Sequence, residues 1–253
     1  MRILLAISAL LISHFAHAEW DIGGGLESYR WIEYPEGFSG TPKESGFREA
    51  LFVNWTQERE QGLLFAWRAK IYAGTVNYDT FYLTAPYGAV STKTGYVGAA
   101  SEGQMLYRTG GPDFLSGIGL DFWSRDIGNN GNQIEDYSIL YVRAGLGLVK
   151  SRTDTGFHGQ LGIKYPVSTN EDAHLKKQGF TSNPALKPKG AVSGYAEFGY
   201  RINPRFDLLA YYDSWRFRRS DSVTVADTSA TLWNVWQPKS NMDALGIKLL
   251  VSF

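Results

Sequence analysis

Along most of the chain, apolar residues recur at every second position. The last nine residues show it most plainly. Leu245, Ile247, Leu249, Val251 and Phe253 fall on one side of an extended chain, and Gly246, Lys248, Leu250 and Ser252 on the other. Successive side chains of a strand point to opposite faces, so this rhythm predicts a strand with one wholly apolar face. Leu63, Phe65, Trp67, Ala69 and Ile71 alternate in the same way with Leu64, Ala66, Arg68, Lys70 and Tyr72. Phe114, Ile118, Leu120 and Phe122 oppose Gly117, Gly119, Asp121, Trp123 and Arg125. Ten strands are predicted, over residues 20–34, 46–57, 63–72, 96–109, 114–125, 140–148, 157–167, 192–202, 206–213 and 245–253. Hidden pairing in the longest connections widens that count to 8–12 strands.

The connections sort by length. Those after the even-numbered strands span about 2–6 residues and those after the odd-numbered ones about 9–22, the pattern of short periplasmic turns and longer outer loops in membrane barrels. Gly74–Thr94, Ser168–Lys189 and Ser220–Asn241 are expected as the three longest loops. The apolar faces are nearly free of charge. Glu49 is the exception, and it is expected near the outer rim, where a charge facing lipid costs little. Trp20, Trp55, Tyr107, Phe114, Tyr165, Phe206 and Phe253 are expected as an aromatic girdle on the short-turn side. The opposite faces carry both signs of charge. Arg68, Lys70, Asp121, Arg125, Arg143, Lys164, Glu197 and Arg201 are expected to form a polar network in the lumen. Ten strands lie close to the size at which side chains fill a barrel, so a lumen plugged by ion pairs and aromatics is the first expectation, and a narrow polar pore the alternative.

Composition changes the picture in a few places. The formal net charge is +0, which gives no basic patch for nucleic acid. Mean hydropathy is −0.24, a value that looks soluble, but only alternate residues of a membrane barrel face lipid. Cys is absent, so no disulfide framework or lipid-attachment Cys is expected. Arg2, the apolar run Ile3–Ile12 and Ala16-His17-Ala18 have the layout of a secretory signal peptide. Residues 1–18 are therefore expected to be cleaved and residues 19–253 to form one barrel.

The closing strand resembles that of bacterial outer-membrane β-barrels, whose chains end on Phe. That resemblance implies an all-β antiparallel up-and-down barrel in the outer membrane of a Gram-negative cell. It also implies outer-membrane lipid as the surrounding partner, and recognition of Phe253 by the barrel assembly machinery. Ten strands with five long outer loops look like the omptin proteases, which set two acids by the second outer loop and an Asp-x-His by the fourth. Here Asn77-Tyr78-Asp79 and Asp172-Ala173-His174 stand at those loops, and the resemblance implies a water activated between Asp79, Asp172 and His174. Asn77 departs from the family pattern, which has an acid there.

Other chemistry finds little support in the sequence. Only His158 and His174 remain after the leader, which makes no metal cluster, and no metal or cofactor is expected. Gly23-Gly24-Gly25 opens no helix and is no phosphate cradle. The favoured expectation is a non-enzymatic barrel with a structural, surface-binding or minor pore role, meeting an extracellular ligand at its long loops. A narrow porin for small polar solutes and an omptin-like hydrolase are the alternatives.

Overall fold

The structure, a computed structural model, describes residues 18–36, 40–57, 61–82, 88–128, 131, 133–148 and 155–253. The leader expected over residues 1–18 lies outside these residues except for Ala18, which opens the first strand. In chain order the strands are β1 (Ala18–Tyr34), β2 (Lys43–Gln57), β3 (Gly62–Tyr82), β4 (Gly88–Arg108), β5 (Asp113–Ile127), β6 (Gln133–Leu148) and β7 (Gly156–Ala173). A short 3-10 turn (Leu175–Gln178), β8 (Ala185–Leu186) and β9 (Lys189–Ala191) follow. The rest are β10 (Ser193–Asn203), β11 (Phe206–Arg218), β12 (Val223–Ala226), β13 (Leu232–Val235) and β14 (Lys239–Ser252).

Ten of these make a closed antiparallel barrel, in the order β1 to β7, β10, β11, β14 and back to β1. Closure follows from the solvent, because hydrocarbon offers no partner to an unpaired strand edge. The seam is long, with β1 and β14 in register from Asp21↔Ser252 to Tyr34↔Lys239. The Phe253 N–H ends it by donating to the Trp20 carbonyl at 2.9 Å.

The predicted apolar faces point outward. Leu26, Ile71, Ile118, Leu161, Phe198 and Ile247 are among the large apolar side chains exposed on the barrel wall, which is the arrangement of a lipid coat. Glu49 also faces outward, opposite Leu26 and Ala73 and one pleat inside Phe47. Trp20, Trp55 and Trp67 line up on neighbouring strands at the short-turn side, with Trp20 and Trp67 edge to face at 6.4 Å. Tyr165 departs from the expected girdle. It lies eight residues up β7 from Phe157, and so stands towards the outer side.

The three long connections are shorter than expected. β3 and β4 stay paired from Gly74↔Tyr96 to Tyr82↔Gly88, so most of Gly74–Thr94 is wall and not loop. That stretch keeps Val76 and Tyr78 inward, while its outward positions Thr75, Asn77 and Asp79 are polar and only Phe81 at its top is large and apolar. Above the lipid the outer face need not be apolar, which removes the contrast that marks a strand. Ser168–Lys189 likewise begins as the end of β7, and Ser220–Asn241 holds the β12–β13 hairpin and the start of β14. The hairpin is tied to the preceding loop by Thr228 N–H to Gly179 O at 2.9 Å and Thr181 N–H to Ala226 O at 2.9 Å.

One irregularity changes which residues face the lumen. Tyr141 pairs with Pro166 but Leu140 pairs with Ser168, so Val167 is an extra residue in β7. A one-residue bulge moves every later side chain to the other face. Below it Gln160 and Lys164 point inward; above it Thr169, Glu171 and Ala173 do.

Candidate functional site

Among the described residues, buried charged groups converge in the lumen. Its lower end holds Asp207, which takes His158 Nε2 at 2.8 Å and Arg201 at 3.2 Å, and Arg108 facing Asp113 at 3.9 Å. At mid-depth Glu27 is the hub. Its Oε1 accepts from Arg48 Nε at 2.8 Å and its Oε2 from Lys70 at 2.5 Å and the Tyr211 hydroxyl at 2.9 Å. Glu197 takes Lys248, Arg68 at 3.4 Å and Gln160 at 3.2 Å. Glu102 takes Arg143 at 2.7 Å and Tyr141 at 2.8 Å. Lys164 pairs with Asp213 at 2.5 Å and lies 3.3 Å over the Trp215 ring. Asp121 accepts from Tyr72 at 3.0 Å and from Trp215 Nε1 at 3.1 Å.

Two glycines let the tyrosines lie flat across the wall. Tyr72 faces Gly98 and Tyr211 faces Gly246, and a Cβ on either glycine would stand 2.4 Å from the tyrosine ring. The rings thereby reach Asp121 and Glu27. The mid-depth charges nearly cancel. Six cations (Arg48, Arg68, Lys70, Arg143, Lys164, Lys248) face five carboxylates (Glu27, Glu102, Asp121, Glu197, Asp213). A cavity of about 130 Å³ remains beside Phe52, Arg68, Glu102, Arg143 and Glu197, room for a few waters.

An aromatic layer covers this network from above. Trp123 stacks on Tyr137 at 4.9 Å, and Trp31 meets both. Over it sits Arg125, 4.7 Å from the Trp31 ring, with Glu33 at 2.7 Å, Glu135 at 3.1 Å and Glu44 at 3.8 Å. Glu171 is buried beside them. The outward neighbours at this height are Ser124, Asp136 and Asn170, so the cluster stands above the apolar band. Burial pushes the carboxyls of Glu44, Glu135 and Glu171 above the ordinary range, against the pull of Arg125. Burial alone would lower the Arg125 guanidinium, but Glu135, Glu33 and Glu44 hold it well above its usual value.

The eight residues expected in the lumen network divide by height. Arg68, Lys70, Asp121, Arg143, Lys164 and Glu197 meet at mid-depth, Arg201 sits at the lower end, and Arg125 belongs to the rim. Glu33, Glu44 and Glu135 share strand parity with inward residues, which is their one signal in the sequence; Glu171 has none, because the bulge at Val167 reverses its parity.

The omptin-like trio is not assembled. Asp172 and His174 do meet, with His174 Nε2 at 3.9 Å from Asp172 and 2.9 Å from Asp136, but on the outside of the barrel. The bulge at Val167 is the reason: in unbroken phase with Lys164, both would point inward. Asp79 also faces outward, on β3, with β4, β5 and β6 between it and β7.

No protein-family model matches the chain, and no curated protein matches it. Among solved structures, the outer membrane protease OmpT from Escherichia coli superposes with a TM-score of 0.58 at 11% identity, over 93% of this chain and 96% of that one. The transport unit of the autotransporter AIDA-I from Escherichia coli gives a TM-score of 0.47 at 12% identity, over 94% and 90%. At such identities the likeness is one of fold, and the fold is that of a bacterial outer-membrane β-barrel with ten strands.

Proposed function

We propose that this chain is a non-conducting, non-catalytic barrel of the outer membrane that displays binding surface on its outer loops. The observation that carries the reading is the mid-depth lumen, where charges are paired across the barrel and tyrosines close the gaps. A barrel near this strand number is filled by its own side chains. Its binding surface would be the β12–β13 hairpin, where Leu232 and Trp233 stand 70% and 51% exposed. The leader would be removed on export, and the Phe253 end would be read during assembly. Planar-bilayer recording of the purified protein tests the reading. It should show no stable steps, and reproducible ion-selective steps would replace it with the narrow-pore alternative. A peptidase assay tests the hydrolase alternative. Activity lost in both Asp79→Ala and His174→Ala would restore that alternative.

A further inference from the structure

We infer that Arg125 and the four glutamates around it form a proton-loaded clasp that holds the outer rim of the barrel shut. The groups come from five strands: Glu33 on β1, Glu44 on β2, Arg125 on β5, Glu135 on β6 and Glu171 on β7. Arg125 reaches three of the carboxylates directly, at 2.7, 3.1 and 3.8 Å. One guanidinium against four carboxylates would leave a net charge of 1 − 4 = −3 if all were ionised. A buried site does not hold such an excess bare; it takes up protons or a cation.

The hydrogen-bond donors show where neutralisation is needed. Glu44 is served by Thr94 at 3.1 Å and by the Tyr96 hydroxyl. Glu33 accepts from Arg125 and from Gln237 at 3.3 Å, and Glu135 accepts from Tyr137 at 3.2 Å and forms an ion pair with Arg125. Glu171 is different. It is 1% exposed, and its Oε2 is buried with no hydrogen-bond partner. The charges that act on it most strongly are Glu135, then Arg125, then Glu33, and Tyr137 is its one hydrogen-bonding side chain among the described residues. Tyr137 pairs directly with Glu171 across β6 and β7, and Glu135 is its diagonal neighbour. A proton held between Glu171 and Glu135 removes the repulsion and gives Oε2 a role.

The raised carboxyls fix the direction. A group whose folded pKa lies above its free value contributes stability at low pH, and that contribution is lost as pH rises through the folded value. The clasp is therefore tight in acid and loosens in alkali. Loosening starts at the tops of β6 and β7. Their outer faces already oppose Asp136 to Asp172, with His174 between them.

The test uses the full folded protein in liposomes. Infrared difference spectra should show protonated-carboxyl C=O absorption at neutral pH that disappears on alkalinisation. Acrylamide quenching of Trp31 and Trp123 should rise about two-fold between about pH 6 and about pH 9. Glu171→Gln should lose part of the infrared signal and keep quenching flat. Replacing Trp31 and Trp123 by Phe should remove the quenching change in the wild-type background. A wild type with no protonated carboxyl at neutral pH overturns the clasp, as does a Glu171→Gln variant in which quenching still rises with pH as in the wild type. Opening of the rim by a chelator at about pH 6 would also overturn it, by making a bound cation the neutralising species. Should Glu171→Gln fail to insert, Glu135→Gln and the wild-type infrared titration decide alone.

Discussion

Removing Glu27 should be one of the most damaging single changes in the lumen. Both its oxygens are engaged, by Arg48 at 2.8 Å, Lys70 at 2.5 Å and Tyr211 at 2.9 Å, and its side chain is 0% exposed. Glu27→Ala leaves two cations facing one another without their shared anion. Arg48 cannot swing to water, because it is itself buried and stacked 3.7 Å over Tyr29 and 4.5 Å over Tyr72. Breaking one side of a buried pair costs about 3–5 kcal/mol, or roughly 2–3.5 powers of ten in the unfolding equilibrium. Reversible urea unfolding in lipid vesicles, followed by tryptophan emission, measures it. Arg48→Met on the Glu27→Ala background should recover part of the loss, since the stranded charge is what destabilises. A loss under about 1 kcal/mol for Glu27→Ala would mean that the pair behaves like an exposed one, and the reasoning of a desolvated lumen would fall.

Three further outcomes follow from the same geometry. Ile118→Arg, at the middle of the lipid-facing side of β5, should lower stability by about 2–4 kcal/mol in vesicle refolding, whereas the same change at an outward rim position such as Ser124 should be nearly silent. Gly246→Val puts a Cβ 2.4 Å from the Tyr211 ring, so the ring must leave Glu27; a loss of about 1–3 kcal/mol in the same assay is expected. In the outer hairpin, Asp227 accepts from the Ser229 hydroxyl and Trp233 Nε1, and these bonds lower its carboxyl to about 2. A depressed carboxyl stabilises above its free value and loses that effect as pH falls, so Trp233 emission should hold steady to about pH 3 and change near pH 2, and Asp227→Ala should show the acid form at neutral pH.

Much of the barrel was legible because lipid forces a contrast between the two faces of each strand. β5 could be placed to within two residues at each end, and so could the lipid-facing part of β14, since Phe114 to Phe122 and Leu245 to Phe253 must meet hydrocarbon; the six residues from Lys239 that open β14 above the lipid could not. Where the wall rises above the lipid, that contrast disappears. Thr75, Asn77 and Asp79 are outward residues of β3, yet in sequence they look like loop. The bulge at Val167 was beyond reach for a different reason. A single extra residue leaves composition untouched and appears only in the pairing of β6 with β7, although Pro166, which cannot donate to a ladder, was a faint sign of irregular pairing. That one residue turns Asp172 and His174 outward and Glu171 inward. The rim cluster was equally hidden: Glu33, Glu44, Glu135 and Glu171 are scattered along the chain, and only closure of the sheet brings them to Arg125.

The absence of Cys makes one labelling experiment direct. Ala50→Cys and Leu51→Cys place thiols on adjacent residues of β2, the first in the lumen and the second in the lipid coat, while Ser45→Cys lies higher on the same outer wall. In intact liposomes, a membrane-impermeant maleimide should modify position 45 and leave positions 50 and 51 unmodified. Rapid modification at 50 would reveal an open, watery lumen, and rapid modification at 51 would deny the lipid coat; either would contradict a filled barrel standing in a membrane.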